Sequence, residues 1–198
     1  MRLQPKDAFL VKDDYELLAS LEVVREVTNG ITIAASKVPA DASGNKILKK
    51  GMPLAKITAA GNDQGKFRPY TGNVVADNIT ATTDDSAVLH DAPMYVAGDV
   101  VTFTDGANTE QKTVASVDLA TNTVTFTAAF TNSFAKDVTV CYTSDGGYNP
   151  TVLLKRHVNV KDGDHVVGGF EVAKVIAARV PVTVTDMLRE KMPHIVFA

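Results

Sequence analysis

Apolar and polar residues alternate with period two in several short runs between residues 100 and 143. The clearest is Thr123-Val124-Thr125-Phe126-Thr127, with Val124 and Phe126 on one face and three Thr on the other. That period marks an antiparallel sheet with one face in water. Similar runs occupy 100–104, 112–118 and 137–143, with turns at Asp105-Gly106 and Ala120-Thr121-Asn122. Short strands this closely spaced predict a small barrel or sandwich.

The sequence on either side is patterned differently. Asp13-Asp14 offer an N-cap to a short helix over 15–20. Residues 22–27 alternate as a strand, and Asn29-Gly30 separates them from Ile31-Thr32-Ile33-Ala34. Asn-Gly supplies the positive φ angles of a type I′ turn, so a hairpin is expected here. Residues 36–45 read as a loop. Residues 46–58 read as a strand, a turn at Gly51 and a second strand beginning at Pro53. A polar loop follows over 61–72, and 73–91, rich in Asn, Asp and Thr, reads as the exit from this first half.

After Pro150 the apolar strand Val152-Leu153-Leu154 runs into Lys155-Arg156-His157-Val158-Asn159-Val160, with a turn over 161–164. Residues 166–170 and 172–184 are β-rich, and Pro181 marks an edge or bulge. Thr185 is suited to cap a short helix over 186–192 that Pro193 stops. Ile195-Val196-Phe197 reads as a final strand.

Composition sharpens this division. Residues 92–148 contain no Arg and only Lys112 and Lys136, against Asp99, Asp105, Glu110, Asp118, Asp137 and Asp145, a balance of −4. The whole chain of 198 residues carries −3, so the remainder is near +1. The expected organisation is an arm at 1–12, a discontinuous domain over 13–91 plus 149–198, and an inserted Thr-rich β module at 92–148. Apolar residues at 45% and charged residues at 22% are ordinary for a globular protein. Neither charge balance suits direct binding of nucleic acid, which needs a clustered basic face. No stretch approaches the ~20 apolar residues of a membrane helix, and the N-terminus lacks the apolar run of a signal peptide.

Candidate chemistry is sparse. Cys141 is the one cysteine, so no intrachain disulfide is expected, which fits a reducing cytoplasm. Set in a strand-like run, it reads as a half-buried structural thiol. His90, His157, His165 and His194 form no HxH or HExxH pair, so no metal site and no cofactor is expected. His90-Asp91 and Asp162-Gly163-Asp164-His165 are the remaining clusters. Asp162 and Asp164 are possible calcium ligands, but the twelve-residue calcium loop is missing and a turn explains them equally well. No Ser lies in a nucleophile elbow, no glycine loop has a phosphate-binding context, and no catalytic residue is expected. A carboxylate pair of the glycosidase type leaves no signature in sequence, but the chain has no Trp to stack on a sugar. Lys49-Lys50 and Lys155-Arg156-His157 read as solvated basic faces or as contacts for an acidic protein surface.

Several stretches outside the insert, in their order and spacing, resemble the head decoration (capsid-stabilising) proteins of tailed bacteriophages, the family of the lambda head protein D. They are Asn29-Gly30-Ile31-Thr32-Ile33, residues 47–57 from Ile47-Leu48-Lys49-Lys50-Gly51 to Ile57, and Gly65-Lys66-Phe67-Arg68-Pro69-Tyr70. Val152-Leu153-Leu154, Val158-Asn159-Val160 and residues 188–197 continue the likeness. The insert is a departure, because shorter family members have only a loop there.

The resemblance implies a mainly β (α+β with little helix) decoration domain with a small antiparallel barrel or sandwich in one loop. It implies a homotrimer on three-fold and quasi-three-fold sites of the expanded head, made in the host cytoplasm and held on the outer surface of the virion. The partner would be the major capsid protein, the role would be resistance to packaged-DNA pressure, and no catalysis would be involved. An N-terminal arm would add a strand to the capsid protein, with Leu3, Phe9, Leu10 and Val11 as its apolar contacts. The insert would project outward, free to meet a ligand of its own. Two other readings stay open: another phage structural component of tail or collar, and a carbohydrate-binding β module.

Overall fold

The computed structural model describes residues 16–198. In chain order the strands are β1 (Leu18–Glu26), β2 (Ile31–Ile33), β3 (Ile47–Leu48), β4 (Pro53–Lys56), β5 (Phe67–Pro69), β6 (Asn73–Val74), β7 (Ser86–Val88) and β8 (Val100–Thr104). They continue with β9 (Thr109–Asp118), β10 (Thr123–Phe126), β11 (Val140–Thr143), β12 (Pro150–Leu154), β13 (Val158–Asn159), β14 (His165–Val167), β15 (Gly169–Val175) and β16 (Ile195–Phe197). One helix, α1 (Asp186–Lys191), precedes the last strand. The protein is mainly β with little helix, as the alternating pattern predicts.

Two separate apolar clusters divide the chain into two lobes. The curled lobe uses residues 16–72 and 144–198. Its sheet runs β1-β15-β12-β4-β5-β2-β14, with β16 added in parallel beside β15. Chain continuity joins the two ends of this order, because β1 leads into β2 and β14 leads into β15. The sheet therefore curls into a half-barrel. Leu48, Leu54, Leu153, Leu154, Val175 and Leu188 fill it and are fully buried. A two-stranded ribbon of β3 and β13 lies beside it.

The barrel lobe uses residues 73–143. Its six strands run β6-β11-β8-β9-β10-β7. An antiparallel bridge between Val75 and Leu89 ties the last strand to the first, with Ala76 N–H donating to Val88 O and His90 N–H to Val74 O. Closure leaves no free edge on this path. Phe103 sits at the centre, in edge-to-face contact with Phe126 at 5.4 Å and Phe130 at 5.0 Å. Val124 and Phe126 face inward and the flanking Thr123 and Thr125 are half-buried.

Four features differ from the sequence reading. The second structural unit begins at Asn73, not at residue 92: 73–91 supply β6 and β7 and bury Val75, Ile79, Ala87 and Leu89 in the barrel core. Scattered small apolar positions in a polar stretch hid this. Leu18–Ser20 belong to a strand rather than a helix, because pairing with β15 overrides a weak local signal. Asn29 and Gly30 do adopt positive φ angles of 68° and 74°, yet β1 and β2 do not pair with each other. They bend one continuous path at a corner, β1 lying on β15 and β2 on β14. Finally, β15 ends at Val175, and 176–185 is irregular apart from one 3-10 turn at Ala177–Arg179.

The helix follows expectation. Thr185 Oγ1 accepts the Leu188 N–H at 3.2 Å, closing the cap. Asp186 in the first turn and Lys191 in the last suit its dipole.

Candidate docking edge and lobe junction

Strand β1 is the outer edge of the curled sheet. It pairs only with β15, so among the described residues its other side carries unused backbone groups. Its pairing is irregular. Ser20 lies opposite Lys174 and Arg25 opposite Val172, so β1 takes five steps where β15 takes two. The surplus bulges outward and leaves Leu21 79% exposed. Bulges blunt an edge against indiscriminate pairing and re-aim its side chains. Arg25 Nε pairs with Glu171 at 2.9 Å and Glu26 pairs with Lys155 at 2.6 Å, fixing the far end. Leu3, Phe9, Leu10 and Val11 lie outside the described residues.

A buried ionic cluster joins the lobes. Arg68 on β5 is fully buried. Its Nη2 reaches Asp99 Oδ2 at 2.7 Å and the Met94 carbonyl at 2.9 Å, and its Nη1 reaches Asp145 Oδ2 at 2.6 Å. Lys37 Nζ adds a contact to Asp99 Oδ1 at 2.6 Å. The chain crosses between the lobes at 72–73 and 143–144; Asp145 follows the second crossing, and Asp99 precedes β8 inside the barrel lobe. One guanidinium on β5 thus ties the curled lobe to an internal strand of the barrel and to the segment leaving it. Burial works against charge on Arg68, and the two carboxylates outweigh it, so its pKa rises. Burial likewise pushes Asp145 up, but Arg68, the Thr143 hydroxyl and the Gly147 N–H more than reverse this.

The crossing strands also touch each other. Thr71 and Thr143 hydroxyls lie 3.0 Å apart, and Tyr95 Oη donates to the Thr71 carbonyl at 2.7 Å. Gly72 is required here: a Cβ on it would come within 2.0 Å of Tyr70 Oη. Nothing in the spacing of Arg68, Asp99 and Asp145 signals this cluster. The only local cue is an Asp beside a Gly in each case, Gly98-Asp99 and Asp145-Gly146.

The remaining candidates fall into structural roles. Asp164 accepts the Ala35 N–H at 2.9 Å and pairs with Lys66 at 2.6 Å, contacts that hold its carboxyl below its usual range. Asp91 binds the Thr183 N–H and hydroxyl, both at 2.8 Å. His90 Nε2 lies 2.6 Å from Asp137 at the mouth of a cavity of about 270 Å³ that Tyr70, Met187 and Val74 also line. Cys141 is fully rather than half buried, and burial pushes its thiol up to about 12. Among the described residues no group of three His, Cys, Asp or Glu is placed to hold a metal ion. No described helix is long and apolar enough to cross a membrane.

Every stretch that carries the resemblance to decoration proteins lies in the curled lobe. Compared with known proteins, the chain matches no family model, no curated protein and no solved structure.

Proposed function

We propose that this protein is a virion structural protein that decorates the outer surface of an expanded phage head as a homotrimer, bound to the major capsid protein. The observation that carries the reading is the outer strand β1, open on one side among the described residues and preceded in sequence by residues 1–15. The arm expected from the sequence, set next to such an edge, suits strand addition to a partner sheet. Three such arms on one trimer would sum to tight attachment from weak single contacts. The acidic barrel lobe would then stand away from the shell.

Cosedimentation with expanded and unexpanded shells of the source virus tests this. Saturable binding to expanded shells, in multiples of three copies per site, is the expected result. Deleting residues 1–12 is expected to abolish it while leaving the circular dichroism spectrum unchanged. No binding of the intact chain to either shell would overturn the reading.

A further inference from the structure

The other outer strand of the curled sheet borders a different kind of surface. Strand β14 pairs only with β2, so it too has an open side among the described residues. It forms one wall of a cleft of about 460 Å³ whose opposite wall is the segment 155–159. Lys155, Arg156, His157 and His165 line this cleft, and Glu26 is the one carboxylate among the lining residues. Both Glu26 oxygens lie 2.6 Å from Lys155 Nζ, so that charge is already matched. Arg156 and His165 are exposed and make no ion pair among the described residues.

The neighbouring ribbon reinforces the sign. Pairing of β3 with β13 brings Lys46, Lys49 and Lys50 to the same end of the lobe as Lys155, Arg156 and Lys161. The contacts are direct: Lys50 N–H donates to His157 Nδ1 at 3.2 Å, and Lys46 N–H to Asn159 Oδ1 at 3.1 Å. The two basic runs, far apart in sequence, thus become one surface. Val166, in the middle of β14, is 66% exposed beside them.

We propose that this cleft binds a short, extended, acidic polypeptide segment of a partner protein, laid along the open side of β14. Three features select that occupant. A strand edge offers main-chain hydrogen bonds that only another polypeptide backbone matches in spacing. The unmatched guanidinium of Arg156, with the exposed imidazole of His165 as a hydrogen-bonding neighbour, favours carboxylates on the added strand. Val166 gives the intervening apolar residues a surface to cover. Nucleic acid would satisfy the charge but leave the strand edge and Val166 unused. This site is independent of the β1 edge and does not rest on the capsid reading.

Fluorescence anisotropy on the full chain tests it, using a labelled octapeptide of alternating Glu and Val. The expected result is saturable binding that weakens as salt rises, with no binding of the matching Lys-Val peptide. The double variant Arg156→Glu with His165→Glu is expected to weaken binding tenfold or more, about 1.4 kcal/mol or above, with an unchanged melting temperature. N-methylation of alternate peptide nitrogens is expected to weaken it as well. Failure of the Glu-Val peptide to bind, equal binding by the double variant, indifference to N-methylation, or equal affinity for oligothymidylate of the same length would each overturn the proposal.

Discussion

The two lobes solve the same problem in opposite ways. The barrel lobe is one continuous stretch, 73–143, closed on itself around a cluster of phenylalanines. The curled lobe is split in sequence, aliphatic at its centre and, among the described residues, open at β1 and β14. Their charges diverge as sharply. Residues 73–143 hold nine carboxylates against Lys112 and Lys136, a formal −7, which leaves +4 for the rest of the chain. Composition alone, bounded at residue 92, understates this contrast. The difference teaches where interaction belongs. Among the described residues the acidic barrel closes its own edges, while the curled sheet keeps two open edges and a basic end.

Arg68 is the sharpest way to break that division. Arg68→Ala leaves Asp99, whose side chain is 2% exposed, and Asp145 with Lys37 as their one remaining cation, 2.6 Å from Asp99 and 3.8 Å from Asp145. Removing one partner of a buried ionic cluster costs about 3–5 kcal/mol. Urea denaturation is expected to show a loss of that size. Native-state hydrogen exchange decides what kind of joint it is. Loss of protection on β12 and β8 together would make the lobes one cooperative unit. Loss on β8 alone would make the barrel an independent satellite.

A smaller effect separates the lobes by pH. Partial burial pushes the Glu110 carboxyl upward, but Lys112 and the N–H groups of Thr131 and Asn132 hold it at about 2, below the usual 4.5. A depressed folded-state pKa contributes stability above the unfolded value and loses it as pH falls toward the folded one. Wild type is therefore expected to exceed Glu110→Gln by about 2 kcal/mol at neutral pH, allowing for screening at the barrel rim. The gap should close between pH 4.5 and 2. A gap that persists at pH 2 would assign Glu110 a role other than its charge.

Much of this molecule is legible in its sequence, and the illegible parts share a cause. Strict alternation marks β10, whose Val124 and Phe126 are buried between half-buried threonines, while β8 buries Val101, Thr102 and Phe103 alike. The Thr185 cap and Pro193 mark α1, because the signals are local. The barrel's true beginning at Asn73 escapes, since β6 and β7 are too short to show a period. Asn29-Gly30 announces its backbone angles but not its partners, because turn chemistry fixes φ and the sheet fixes pairing. The Arg68 cluster draws on residues 31 and 77 positions away, beyond any local pattern. The basic cleft could be half seen: both runs stand out, but only the β3–β13 ribbon shows that they meet.

The mildest test concerns the neighbour of that cluster. Tyr70 is 4% exposed at the lobe junction, stacked on Tyr148 at 6.2 Å, and its hydroxyl has no partner among the described residues. Burial pushes its pKa well above the usual 10, so at any ordinary pH it is a neutral group removed from water. An unsatisfied buried hydroxyl costs about 1–3 kcal/mol, and deleting it keeps the ring in place. Tyr70→Phe is therefore expected to raise stability by about 1 kcal/mol in urea denaturation, with the protection of both lobes unchanged. A loss of stability would show instead that the hydroxyl is bonded across the junction. The hydroxyl would then join the Arg68 cluster and the Tyr95–Thr71 and Asp91–Thr183 contacts as a further polar tie, and Arg68→Ala should be followed in the Tyr70→Phe background to separate the two.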